Sequence, residues 1–222
     1  IRIGVNSGSV GTKGRSMADA MVKSALSYVK IFEKARFHDI IISLKSSGVS
    51  ETIEAYGKMA ALCDYPFHLG ITAAGPLLSA TVKSSIGMGV LLEEGIGDTI
   101  RVSLTSDAVA EIEVAKEILS SLGMRHFGPE IISCPTCGRC QVDLVGIVKE
   151  LEKQFREKVV GSRGKGITVA VMGCEVNGPG EASSADIGIA AGKGSGVLFR
   201  KGKTIKRVKE SEFIKEIIKA IT

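Results

Sequence analysis

The chain has 222 residues, enough for one large domain or two ordinary ones with a well-buried core. Hydrophobic residues make up 44%, charged residues 24%, and Gly is frequent at 27, which is the usage of a soluble α/β protein and excludes a disordered chain. The net charge is +5, and the longest apolar runs, 67–71 and 167–172, are strand-sized and too short for a membrane helix.

The opening run Ile1-Arg2-Ile3-Gly4-Val5 reads as a buried strand, not a cleavable signal, so a piece beginning inside a domain is expected. From there to about residue 122, short apolar strands alternate with amphipathic helices. Strands are predicted at 1–5, 39–44, 67–72 and 99–104, and helices at 16–35, 50–63, 79–94 and 107–122. In the second helix Ile53, Tyr56, Ala60 and Ala61 fall on one face. Repeated βα units imply a parallel sheet, either open and doubly wound or part of a (β/α)8 barrel.

Each predicted strand ends in polar residues. Asn6-Ser7-Gly8 follows the first, Lys45-Ser46-Ser47 the second and Thr72-Ala73-Ala74-Gly75 the third, while Arg101 and Ser103 lie in the fourth. Such a rim suits an anionic, phosphorylated small molecule, although each position alone is also ordinary turn chemistry. The Gly-rich stretches 8–14 and 192–196 lack the spacing or context of a nucleotide fingerprint and are expected to be flexible loops.

After Gly123 the alternation stops. A strand at 130–132 feeds the loop Cys134-Pro135-Thr136-Cys137-Gly138-Arg139-Cys140, and a helix follows from Asp143 to Val159. A linker at 161–166 leads to a strand at 167–172 and a second loop, Cys174-Glu175-Val176-Asn177-Gly178-Pro179-Gly180-Glu181. Strands at 186–190, 196–200 and 204–208 come next, then a terminal helix with Ser211 as N-cap and Phe213, Ile214, Ile217, Ile218 and Ile221 on its apolar face. This second region, 125–222, is expected to be a small α+β domain.

Five cysteines, three of them within seven residues, fit metal ligation in a reducing compartment better than a disulfide framework, so a cytoplasmic location is expected. Zinc is poorly served, because Cys174 has no Cys or His partner nearby. The spacing Cys134, Cys137, Cys140 begins like a ferredoxin run, but the fourth thiol of that run is missing. Three thiolates with a weaker fourth ligand would hold a cluster open to substrate, and Glu181 or Glu175 could be that ligand. The basic run 200–209 reads either as a docking site for an acidic partner or as a solvated hairpin. Without Trp or interleaved aromatics, nucleic acid is not expected as a partner.

The cysteine loops, together with Ile1-Arg2-Ile3-Gly4-Val5-Asn6 and Gly97-Asp98-Thr99-Ile100-Arg101-Val102-Ser103-Leu104-Thr105, closely resemble the 4-hydroxy-3-methylbut-2-enyl diphosphate synthase (GcpE/IspG) family over the whole chain. The resemblance implies the second half of a TIM (β/α)8 barrel, about strands 5–8, in residues 1–124. It further implies a ferredoxin- or sulfite-reductase-like domain with a [4Fe-4S] cluster in residues 125–222. Cluster ligands implied by motif are Cys134, Cys137, Cys174 and Glu181, the last exchanging with substrate oxygen. The diphosphate would be held by Arg2, Asn6, Lys45, Arg101 and Ser103.

The family's reaction is reductive ring opening and dehydroxylation of 2-C-methyl-D-erythritol 2,4-cyclodiphosphate, fed by reduced ferredoxin or flavodoxin in a homodimer. Two departures stand out within the chain. Ala73 occupies the position where the family has a glutamate of catalytic importance, and Cys140 is not among the family's ligands and is expected to be a small core residue. Lacking the earlier barrel strands as well, this piece is expected to be inactive alone. His68 is expected to be structural, and the rival function is a non-catalytic, metal-stabilised binding or electron-transfer module.

Overall fold

The computed structural model describes residues 1–12, 14–158, 166–176, 180 and 182–221. These divide into two compact units, Ile1–Arg125 and His126–Thr222.

In the first unit, β1 (Arg2–Asn6), β2 (Ile41–Lys45), β3 (His68–Leu69) and β4 (Thr99–Ile100) alternate with α1 (Met17–Lys34), α2 (Val49–Ala60), α3 (Leu77–Glu93) and α4 (Ala108–Ser121). Two helix starts use side-chain caps: Ser16 accepts from the Asp19 amide and Asp107 from the Val109 amide. β1 and β2 pair in parallel, as do β3 and β4, and a parallel bridge between Ile42 and Phe67 links the pairs. β3 and β4 are shorter than the apolar runs that predicted them. The Asp98 carboxylate takes the Phe67 amide at 2.7 Å, which sets their register in place of further ladder bonds.

One face of these strands carries Ile3, Val5, Ile42, Leu44, Leu69 and Val102, all buried under the helices. Helix α2 buries Thr52, Ala55, Tyr56 and Met59; Ala61, expected on that face, lies past the helix end and is exposed. The Tyr56 hydroxyl donates to the His68 carbonyl at 2.5 Å and accepts the Leu44 amide at 2.9 Å, so one buried phenol joins β2 to β3. Burial pushes its pKa up to about 12.

The second unit is a five-stranded sheet in the order β5 (Glu130–Ser133), β6 (Thr168–Met172), β7 (Ile187–Gly192), β8 (Ser195–Arg200) and β9 (Lys203–Lys209). The first three strands are parallel and the last two antiparallel. As Asp98 does in the first unit, Asp186 takes the amide that starts a neighbouring strand, that of Thr168, at 3.0 Å. Helices α5 (Leu144–Lys158) and α6 (Phe213–Ile221) cover one face, where Leu151, Phe155, Phe213 and Ile217 meet Val169, Val171, Ile187 and Ile189. Small residues, Ala170, Ala190, Ala182 and Ala185, close the other face around Met172 and Phe199.

Three local expectations are corrected. Ser211 is not a helix N-cap but lies inside a 3-10 turn, Glu210–Glu212, which leads into α6. Residues 192–196 are not a flexible loop: Gly192 pairs with Ser195 across a two-residue hairpin turn, in which Gly194 takes φ 70°. In the first stretch, 8–14, the chain enters through a 3-10 turn, Ser7–Ser9, rather than a free loop.

Replacing Tyr56 by Phe leaves a buried amide and a carbonyl unpaired, and is expected to lower the stability of the first unit by about 2 kcal/mol in urea unfolding. The folded phenol ionises above an unfolded tyrosine, near pH 10. Its contribution is therefore complete below about pH 10 and is lost as the pH rises through about 12. The Phe variant lacks that alkaline step.

Candidate functional site

In a strand, alternate side chains share a face, and residues paired across a parallel ladder point the same way. The pairings Arg2 with Ile41 and Asn6 with Lys45 therefore put Arg2, Asn6 and Lys45 on one side of β1 and β2. The bridge at Ile42–Phe67 and the pair His68–Thr99 carry that side onward to His68, Gly70, Thr99 and Arg101. Ser103 lies past the end of β4, beyond buried Val102. The side of Arg2, Lys45 and Arg101 is opposite the helix-covered core. Arg2, Asn6, Lys45 and Arg101 lie on it, four of the five residues expected to hold a diphosphate.

The cations feel one another. Burial, then Arg2 and then Arg101, hold the Lys45 ammonium below its ordinary range. The same three side chains and burial also push the His68 imidazole down. A cluster of like charges is poised for an anion, because repulsion among Arg2, Lys45 and Arg101 is relieved when negative charge arrives.

Gly70 lets the strands close at this point. A Cβ there would meet the Arg101 carbonyl oxygen at 2.8 Å and approach Lys45 Cε at 3.7 Å. Asn6 has a local task as well: its Oδ1 accepts the Gly8 amide at 3.1 Å.

Ala73 sits in the loop after β3, exposed, with φ 48°, a left-handed conformation that costs a non-glycine residue about 1 kcal/mol. The loop is tied on both sides. Thr72 donates its amide to the Ser46 carbonyl at 3.1 Å, and the Gly75 carbonyl accepts the Thr105 amide at 3.0 Å.

In the second unit the cysteines leave adjacent parallel strand ends. β5 ends at Ser133, which pairs with Val171, and β6 ends at Met172, so the loops that carry Cys134 and Cys174 leave neighbouring strand ends. The Gly173 amide donates to Cys134 Sγ at 3.2 Å, and the Gln141 amide donates to the Gly173 carbonyl at 3.0 Å. The two loops are thus bonded to each other. A Cβ on Gly173 would lie 2.6 Å from Cys140 Sγ, so glycine is needed for this contact.

Cys137 is exposed, Cys134 half-buried and Cys174 buried. Cys140 packs on the core of the unit and its thiol donates to the Val142 carbonyl at 3.3 Å. Cys63 lies in the other unit against the main core, and burial pushes its thiol up.

Among the described residues no three His, Cys, Asp or Glu side chains are gathered as a metal ion requires. Glu181 lies outside the described residues. The donor set itself, thiols with an amide already aimed at one sulfur, fits a sulfur-held iron cluster in its chemistry.

Glu175, the rival carboxylate, is committed elsewhere: Arg207 of β9 holds its two oxygens at 2.8 and 3.3 Å and also reaches Ser195 Oγ at 3.2 Å. Sequence reading did not find this pair, since 32 residues separate its members. Other cations of the basic hairpin are also engaged, Lys206 with Glu216 and Arg200 with the Ala220 carbonyl. Lys203 and Lys209 remain exposed on its edge.

Residues 1–116 match the family description GcpE TIM-barrel domain, and residues 130–222 match GcpE protein C-terminal domain. The chain is 56% identical over 226 residues to a protein of Clostridium perfringens named 4-hydroxy-3-methylbut-2-en-1-yl diphosphate synthase (flavodoxin), covering 100% of this chain and 63% of that one. It is 54% identical over 227 residues to a Fusobacterium nucleatum protein of the same name, with the same coverage of both. A third, from Nitratidesulfovibrio vulgaris, is 53% identical over 214 residues, covering 94% of this chain and 54% of the relative. The chain thus spans less than two thirds of the length of these curated relatives. With the two domain matches in order along it, the chain belongs to the GcpE family.

Proposed function

We propose that the chain is the substrate-holding and cluster-holding part of an iron-sulfur reductase, one that converts 2-C-methyl-D-erythritol 2,4-cyclodiphosphate to 4-hydroxy-3-methylbut-2-enyl diphosphate in non-mevalonate isoprenoid biosynthesis. The observation that carries the reading is the strand register that sets Arg2, Lys45 and Arg101 on one face without a helix over it. The names of the relatives support it, and so does the soft donor set of the second unit.

In this reading, residues 1–124 correspond to about strands 5–8 of the barrel and 125–222 to a ferredoxin- or sulfite-reductase-like domain. Arg2, Lys45 and Arg101 neutralise the diphosphate, which orients the ring and holds the leaving phosphate oxygen as its charge grows. Asn6 and Ser103 donate hydrogen bonds to the same group. Cys134, Cys137 and Cys174 would hold a [4Fe-4S] cluster with Glu181 as exchangeable fourth ligand. When bound, that group would pass electrons one at a time from the external donor into the reductive C–O cleavage. Gly173 keeps its loop close to Cys140, and its amide holds the sulfur of Cys134.

Reduced flavodoxin or ferredoxin is the electron donor in this reading, with the exposed edge of β9 as its landing place. The assembly is a homodimer in the cytoplasm. Among the described residues no helix is long and apolar enough to cross a membrane.

Anaerobically purified protein is expected to contain iron and sulfide in near-equal, cluster-sized amounts, with brown absorbance that Cys174→Ser abolishes. One zinc per chain without sulfide contradicts the assignment. Ala73 presents a methyl group where acid/base or radical-stabilising chemistry is expected of a carboxylate. In a chain of the relatives' full length, Ala73→Glu is expected to raise cyclodiphosphate turnover about a hundredfold. Equal turnover with Ala and Glu removes residue 73 from the chemistry. A cluster with a redox wave indifferent to cyclodiphosphate would make the chain an electron-transfer module instead.

A further inference from the structure

One polar group on the cation face has no task in the reading above. His68 is 8% exposed and lies, by the ladder, across from Thr99 and one strand from Lys45. Its Nδ1 is 2.8 Å from Thr99 Oγ1, while its Nε2 is buried and has no hydrogen-bond partner among the described residues. Leaving a buried imidazole nitrogen unpaired costs stability. A histidine kept for packing alone would satisfy both nitrogens or give way to an apolar residue.

The charged groups acting on the ring are Lys45 from β2, Arg2 from β1 and Arg101 from β4; helix α2 contributes the neutral Tyr56 hydroxyl, bonded to the His68 carbonyl. Three cations surround a ring that has one nitrogen to spare.

We propose that His68 is a further anion-recognising residue of this face, its Nε2–H donating to a phosphate oxygen that Lys45 and Arg101 also engage. The inference rests on the reading of the face as a diphosphate site. It assigns the tautomer: the Thr99 hydroxyl donates to Nδ1, which leaves the proton on Nε2.

A proton linkage follows. Burial and then the cations Lys45, Arg2 and Arg101 hold the imidazole below its ordinary value, which favours its neutral form. Phosphate charge offsets the cations and raises its proton affinity. Between the two titrations, binding takes up a proton. Folding has the opposite sign, because the depressed group releases a proton: it costs no stability above the unfolded value near pH 6.5 and costs more as the pH falls below it.

The test is calorimetric titration of the 222-residue chain with inorganic pyrophosphate at about pH 6, in two buffers of different ionisation enthalpy. Wild type is expected to bind with more proton uptake than a chain whose residue 68 does not titrate. His68→Asn, whose amide can still meet Thr99 but does not reach the Nε2 position, is expected to bind about tenfold more weakly, equivalent to 1.4 kcal/mol, without that extra uptake. His68→Gln, with an amide near the Nε2 position and no titration, is expected to keep near-wild-type affinity and lose the extra uptake. It also keeps the test decisive if the Asn variant misfolds.

Wild-type affinity in His68→Asn overturns the proposal, as does unchanged proton uptake in His68→Gln. If either occurs while Arg101→Met still weakens binding, the cation face stands and only His68 is removed from it. If Arg101→Met and Lys45→Met also bind like wild type, the diphosphate reading falls and takes this inference with it.

Discussion

The parallel register of four short strands governs the chemistry of the first unit. Two parallel ladders and the bridge between them send Ile3, Val5, Ile42, Leu44 and Leu69 toward the helices and the residues between them the other way. Because side-chain direction alternates residue by residue, a slip of one position would bury Arg2, Lys45 and Arg101 and expose the core. Hydrophobic burial on one face thereby holds the cations together on the other, against their mutual repulsion. The Asp98 carboxylate on the Phe67 amide and the Tyr56 hydroxyl between Leu44 and His68 pin this register where β3 and β4 have few ladder bonds of their own.

The second unit uses strand ends in another way. Its ligand candidates come from two loops off neighbouring parallel strands, and the amide of Gly173 on Cys134 Sγ ties one loop to the other. Behind them the Glu175–Arg207 pair anchors the second loop to the outer hairpin. Both partners are partly exposed, so the pair contributes little to global stability; its effect is to fix where the loop lies. It also takes a carboxylate and one hairpin cation out of competition for other roles. The +5 charge of the chain is therefore less available on that hairpin than its sequence implies.

Helix periodicity made α1 through α4 legible to within a few residues, since each buries an apolar stripe. The cation rim was legible because polar residues recur at the ends of four apolar runs. What the sequence does not carry is pairing between distant segments. His68 looked like a core residue, and only the alignment of β3 with β2 and β4 places its ring among Lys45, Arg2 and Arg101. Glu175 looked like a possible ligand until Arg207 was seen across from it. Ser211 had the right chemistry for a cap, but the chain enters α6 through a 3-10 turn. Ala61 fitted the helical period and failed because α2 ends at Ala60.

The central claim is that strand register brings Arg2, Lys45 and Arg101 within electrostatic reach of one another on a single face. The most direct measurement is the titration of the Lys45 side chain by nuclear magnetic resonance, in wild type and in Arg101→Met. With the claim correct, Lys45 loses its proton at a lower pH than an ordinary lysine, and removing Arg101 moves that titration upward. A Lys45 that titrates as a free lysine, or that ignores the loss of Arg101, contradicts it.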